Sequence, residues 1–210
     1  MGEQLVWTQA ELERRLIAVA GRTRTRHVNS TTAGKALGVS ERTVRRWLER
    51  DPDAVVGMKP ANAERVFHQL RPSARKLHQE QLDKDYAVEA ITTLSIPSRR
   101  RRMPAAWKDR QWVEPHLVAV LDRSHVHLRQ VTVARVDHRP LQRMHNRGQL
   151  LDSVEVPTRF HATVLMAAVL EAVDHWRVQT QLVSQGNTQC WVDDAPAVDL
   201  RQLAVTNDLV

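Results

Sequence analysis

From residue 8 to 20 the apolar side chains Leu12, Leu16, Ile17 and Ala20 recur at three- and four-residue spacing, the period of one helix face. Thr8 can cap this helix, Glu11 completes a capping box, and Gly21 ends it. Residues 21–30, GRTRTRHVNS, lack that period and alternate Arg22, Arg24 and Arg26 with small polar residues, a loop composition. Two short periodic runs follow. In the first, capped by Ser30, Ala33, Ala36 and Leu37 face inward; Gly38 then supplies the positive φ of a tight turn and Val39 plugs it. In the second, capped by Ser40, Val44, Trp47 and Leu48 face inward, while Glu41, Arg42, Arg45, Arg46 and Glu49 face out. Pro60 opens a further helix to Leu70, with Ala63, Val66, Phe67 and Leu70 on its apolar side.

Beyond Arg71-Pro72 the pattern loosens. Residues 73–94 predict a helix with an irregular stripe of Leu77, Leu82, Tyr86, Val88, Ile91 and Leu94; Lys84 breaks the heptad spacing, leaving a connector helix. Pro97 and Pro104 bracket four consecutive arginines, which read as an extended, self-repelling linker. Two Val-rich runs, 117–121 and 126–136, are separated by Asp122-Arg123-Ser124 and predict a hairpin. Residues 140–146 predict a short helix stopped by Gly148. Val154-Glu155-Val156 predicts a strand that turns at Pro157 into the longest helix, 158–180, carrying Phe160, Val164, Leu165, Ala168, Val169, Val173 and Trp176 towards a sheet. Gly186-Asn187 is a turn, and 188–192 a closing strand. The fold class is therefore a mainly α N-terminal domain (1–72), a connector helix with an Arg-rich linker (73–110), and a small α+β domain (111–210) for dimerisation or partner binding.

Composition narrows the function classes. The 210 residues are 42% hydrophobic and 26% charged, a globular balance. The longest apolar stretch, 162–173, is interrupted by Glu171 and is shorter than the roughly 20 residues of a membrane span, so no membrane partner is expected. The first fifteen residues have no basic start or apolar middle, so a cytoplasmic, nucleoid-associated protein is expected. The single cysteine, Cys190, excludes a disulfide framework and a Cys-rich zinc site. Charge is the informative quantity: 31 Lys and Arg against 24 Asp and Glu give +7. Residues 1–110 hold 22 basic against 13 acidic residues, whereas 111–210 hold 9 against 11. Seventeen of the 22 are arginine, the side chain that grips phosphate bidentately and reads guanine, so nucleic acid is the implied partner, which the resemblance below narrows to double-stranded DNA.

The run STTAGKALGVSERTVRRWLERD from Ser30 resembles the helix-turn-helix of bacterial repressors and related DNA-binding proteins, in its Ala, Leu-Gly-Val-Ser, Val and Trp spacing over roughly residues 8–70. It departs at Gly34, where that family usually has alanine, which would weaken the first helix slightly. The resemblance implies a second helix lying in the major groove with its N-terminal residues at base edges. On the matching positions Glu41, Arg42, Arg45 and Arg46 are the expected base readers, with Arg42 and Arg45 on guanine and Glu41 on a cytosine amine. Thr31, Ser40, Thr43 and Arg50 are the expected phosphate contacts. Arg22, Arg24 and Arg26, and likewise Arg99, Arg100, Arg101 and Arg102, are either arms on phosphate or solvated connectors. The implied role is sequence-specific regulation of transcription, with a homodimer as one arrangement. The layout also resembles terminal proteins of actinobacterial linear replicons, through LGVSERTVRR and the strand 128–133, which implies a replication or telomere role.

Enzymatic chemistry finds less support. Seven of ten histidines follow residue 115, and His125-Val126-His127 would place two imidazoles on one strand face. That is similar to the metal-holding signature of rolling-circle nucleases and relaxases, whose tyrosine nucleophile has one counterpart here, Tyr86; a metal-dependent DNA-nicking enzyme is the alternative, an exposed histidine pair the plainer one. His138, His145, His161 and Cys190 have no ligand spacing, Asp193-Asp194 suits a turn before Pro196, and Gly34-Lys35 lacks the earlier glycine of a phosphate loop. No catalytic residue, metal ligand or cofactor is expected.

Overall fold

The capping signals at the start of the chain form the helix they predict, α1 (Gln9–Ala20). The Thr8 hydroxyl accepts from the Glu11 N–H at 3.2 Å, the Glu11 carboxylate accepts from the Thr8 N–H at 2.9 Å, and Gly21 follows at φ 76°. The computed structural model describes residues 6–49, 51–100, 102–137, 142, 144 and 147–210. The described elements continue with α2 (Ser30–Leu37), α3 (Glu41–Trp47), α4 (Pro60–Leu70), α5 (Ala74–Ser95), α6 (Pro97–Arg100) and α7 (Ala105–Asp109). The strands β1 (His116–Arg123), β2 (Leu128–Arg135) and β3 (Gln149–Val156) follow, then α8 (Arg159–Ala172), β4 (Arg177–Val178), β5 (Cys190–Val192) and α9 (Leu200–Thr206). The fold is mixed α+β with an antiparallel sheet. Among the described residues no helix is long and apolar enough to cross a membrane.

The chain divides into two compact units. The first contains residues 1–73, 123–129 and 175–195. Its core joins Leu12, Leu16 and Ile17 of α1 to Ala33 and Leu37 of α2, Val44 and Trp47 of α3, and Val66, Phe67 and Leu70 of α4. Leu128, Val178, Val183, Cys190 and Val192 bury their side chains in that same cluster. The buried Thr180 hydroxyl donates to the Ala18 carbonyl at 2.6 Å, and the Gln179 N–H donates to the Leu70 carbonyl at 2.8 Å. The segment 111–210, expected as one domain, is thus shared between the units, because these later residues complete the N-terminal core. Within this unit β4 and β5 are antiparallel, Val178 facing Cys190, beside the beginning of β2.

Two details differ locally from expectation. Asn29, not Ser30, caps α2: its Oδ1 accepts from the Thr32 N–H at 3.2 Å, while the Ser30 hydroxyl turns back to the Val28 carbonyl. Ala36 is exposed, because α2 rests on Ala33, Gly34 and Leu37, a stripe that leaves residue 36 off to one side.

The second unit contains residues 74–122, 130–174 and 196–210. β3, β1 and β2 are neighbours in that order, with His116 of β1 opposite Val156 of β3. α5 is not a free connector. It packs on α8 through the buried Ala87 and Ala90, and Lys84, which interrupts its apolar stripe, pairs with Glu171 at 2.6 Å. The arginine run is not extended either: the Arg99 and Arg100 N–H groups donate to the Ile96 carbonyl at 3.0 and 2.8 Å, and Arg102 N–H to the Arg99 carbonyl at 2.9 Å. Pro97 begins that turn without needing a hydrogen-bond acceptor, and Arg99, Arg100 and Arg102 are exposed to solvent.

The helix expected over 158–180 stops at Ala172. A 3-10 turn, Asp174–Trp176, then delivers Arg177 and Val178 to their strand partners, so α5 at 22 residues is longer than α8 at 14. The short helix expected over 140–146 falls largely outside the described residues; Met144 is described and lies buried with Leu117, Ala119 and Leu121.

Candidate nucleic-acid interface

α2 and α3 meet across a turn built on two glycines. Gly38 adopts the left-handed conformation, φ 60° and ψ 33°, and the Val39 N–H donates to the Gly34 carbonyl at 2.9 Å. A Cβ on Gly34 would stand 2.8 Å from the Val39 carbonyl oxygen. Glycine at 34 therefore permits the close approach of α2 to the turn, and is not the weak point that a helix-propensity argument makes it.

The turn leads into α3, whose N-cap Ser40 accepts from the Thr43 N–H at 3.1 Å. Val44 and Trp47 anchor α3 in the core, while Arg42, Arg45 and Arg46 project from it exposed. Among the described residues no side chain pairs with the guanidinium of Arg42 or Arg46. Arg45 pairs with Glu41 one turn earlier, and the second carboxylate oxygen of Glu41 accepts from the Thr31 hydroxyl at 2.7 Å. The Ser40 and Thr43 hydroxyls bond to each other at 2.8 Å. The three residues expected on phosphate, Thr31, Ser40 and Thr43, each already have a partner within the protein. Arg50 lies outside the described residues.

The arginine-bearing link is a folded loop. Arg22 and Val28 form a β-bridge, the Thr23 N–H donates to the His27 carbonyl at 2.8 Å, and Arg26 takes a positive φ of 65°. Arg22 is occupied in holding this loop. Its Nε donates to the His125 carbonyl at 3.2 Å, Nη1 to the Arg26 carbonyl at 2.7 Å, and Nη2 to His127 Nε2 at 2.6 Å. Because arginine only donates, His127 Nε2 accepts and Nδ1 carries the proton that bonds Asp193 at 2.9 Å. Arg24 and Arg26 are exposed on the same loop. Of the proline-bracketed run, Arg99, Arg100 and Arg102 are exposed in the second unit, and Arg101 lies outside the described residues.

The histidine pair does not share a strand face. His125 sits in the 3-10 turn Ser124–Val126 and His127 follows at φ 54°, so the chain reverses between them; both ring nitrogens of His127 are engaged. Among the described residues no group of three or more His, Cys, Asp or Glu is arranged to hold a metal ion. Tyr86 packs edge-on against Trp107 and Phe160, and its hydroxyl accepts from the Trp107 indole at 2.8 Å. His138 and His145 lie outside the described residues. Asp193 and Asp194 occupy the expected turn and take Asp193–His127 and Asp194–Arg14 contacts, the latter at 3.5 Å. Cys190 is buried, its thiol donating to the Gly186 carbonyl at 3.3 Å, and burial pushes that thiol up to about 12.

The Arg22–His127–Asp193 chain carries no signal in the sequence, because neither spacing nor composition couples Arg22 to a residue 105 positions away; of the Thr31–Glu41–Arg45 chain, the four-residue spacing of Glu41 and Arg45 is legible and the contact from Thr31 is not. Compared with known proteins, the chain matches no protein family, no curated protein and no solved structure.

Proposed function

We propose that the first unit is a sequence-specific, double-stranded DNA-binding module in which α2 and α3 form a helix-turn-helix, and that the protein regulates transcription. The observation that carries this reading is α3 itself. Its inner face is fixed by Val44 and Trp47, and its outer face offers Arg42, Arg45 and Arg46 to a partner. A helix so placed fits the major groove, where an arginine takes the O6 and N7 edge of guanine through two parallel hydrogen bonds. Arg24 and Arg26, exposed on the preceding loop, supply the sequence-independent grip on phosphate, and the basic balance of residues 1–110 favours encounter with a polyanion. A nucleoid location accompanies this role, and a homodimer would bind paired half-sites.

Selection of bound duplexes from a random pool, followed by footprinting on source genomic DNA, tests the proposal. Recovery of one motif upstream of genes supports it. Sites confined to replicon ends would move the role to replication, and equal binding of every sequence would remove the claim of specific recognition.

A further inference from the structure

We infer that Thr31 and Glu41 are positioning residues that hold Arg45 in the orientation in which it reads a base, an assignment that rests on the DNA-binding role proposed above. Thr31 belongs to the first turn of α2 and Glu41 to the first turn of α3, so a bond between them spans the inter-helix turn. The Thr31 hydroxyl reaches Glu41 Oε2 at 2.7 Å, and Glu41 Oε1 takes the Arg45 Nη2. An exposed pair one helical turn apart is by itself weak, since two long side chains must be ordered to make it. Here the carboxylate is ordered first, by a short side chain from the neighbouring helix.

The consequence for Arg45 is preorganisation. Its side chain remains 65% exposed and Glu41 39%, so the guanidinium faces outward while being held from below. Of the five guanidinium N–H groups the brace occupies one end, leaving donors for a two-point contact with guanine. An arginine ordered before binding loses less rotamer freedom on the complex than Arg42 or Arg46, which have no such brace. With both its oxygens engaged, Glu41 is reassigned from reading a cytosine amine to supporting its neighbour. Its charge also acts on every DNA sequence, because a carboxylate beside the interface repels phosphate. Removing that charge therefore has two opposed effects: general affinity rises, and discrimination at the base read by Arg45 falls.

The test uses the full chain and equilibrium titration of the selected duplex, of every single-base-pair variant of it, and of scrambled DNA at fixed salt. Glu41→Gln is expected to lower discrimination at one G·C pair about tenfold while tightening binding to scrambled DNA. Thr31→Val is expected to lower discrimination at that same pair without changing binding to scrambled DNA, and Thr31→Ser, which keeps the donor, to restore it. In an Arg45→Ala background Thr31→Val should have no further effect at that pair. Discrimination retained at every position in both variants, or a Thr31→Val effect that persists without Arg45, overturns the inference. Failure of the DNA-binding role is a separate result: the unaltered chain would then show no preferred duplex in the same titrations.

Discussion

Gly34→Ala isolates the inter-helix turn from everything else in the molecule. In a helix interior free of other constraints, alanine is about 0.8–1.0 kcal/mol more favourable than glycine. At this position the new Cβ would lie 2.8 Å from the Val39 carbonyl oxygen, 0.6 Å inside the 3.4 Å at which ordinary contact begins, with Glu41 N at 3.4 Å as well. The obstructing atom is backbone and cannot rotate away. Val39 is tied to Gly34 by its own N–H at 2.9 Å, and Gly38 before it is held left-handed. Overpacking of this kind costs about 1–3 kcal/mol, so the net expectation is destabilisation by about 1 kcal/mol. In a chain of this size that lowers the melting temperature by about 2–4 °C. The matched control is Ala36→Gly on the exposed side of the same helix, which should lose about 1 kcal/mol from propensity alone. Urea unfolding of both variants, followed by circular dichroism, measures the two changes side by side. A Gly34→Ala protein as stable as the original, or more stable, would show that the turn yields at no cost and would refute the close-approach argument.

Four further outcomes are expected. Arg42→Ala or Arg45→Ala should weaken specific binding by about 1–3 kcal/mol and relax preference at one base pair; uniform weakening on all sequences would mean that α3 does not read bases. Trp47→Ala removes a side chain only 7% exposed from the first unit's core and should cost about 3–5 kcal/mol, so an unchanged melting curve would contradict its buried position. Changing Arg99, Arg100, Arg101 and Arg102 together to Gln should reduce the slope of log affinity against log salt by about 0.9 for each phosphate no longer neutralised, with base preference unchanged; equal slopes would mean that the run is only solvated. Burial lowers the proton affinity of His161, and burial, partly offset by the bond from its ring to the Glu114 carbonyl, lowers that of His116, so each takes up its proton at a lower pH in the fold than in the unfolded chain. The unfolded chain takes up those protons first, so stability should fall as the pH drops below 6.5, and His161→Gln should flatten the decline measured by denaturant titration.

The elements legible in the sequence are those whose determinants lie within a turn or two of one another. The Thr8–Glu11 box, Ser40 before α3 and the left-handed Gly38 act on groups three or four residues away, Pro60 acts at the first position of α4 itself, and each does in the structure what its place predicts. The inward faces of α1, α3 and α4 are likewise set by period, and so is the outward position of Arg42, Arg45 and Arg46. Helices as short as α7 and α9 left too few periodic positions to register. Other features were decided by partners far away in sequence. α8 ends at Ala172 although its apolar pattern continues, because Val178 is drawn to Cys190 as a strand partner and Thr180 to the Ala18 carbonyl. His125 and His127 look like a strand pair until His127 is held between Arg22 and Asp193. The same holds at the candidate interface, where the helical period turns the arginines outward and sets Glu41 one turn before Arg45 but does not indicate that Thr31 of the neighbouring helix reaches Glu41. Hydrogen bonds, caps and the Glu41–Arg45 pair within one helix are properties of local sequence; whether the Thr31 hydroxyl meets the Glu41 carboxylate depends on how α2 packs against α3, and that is set by the shared core and by the absence of a side chain at Gly34.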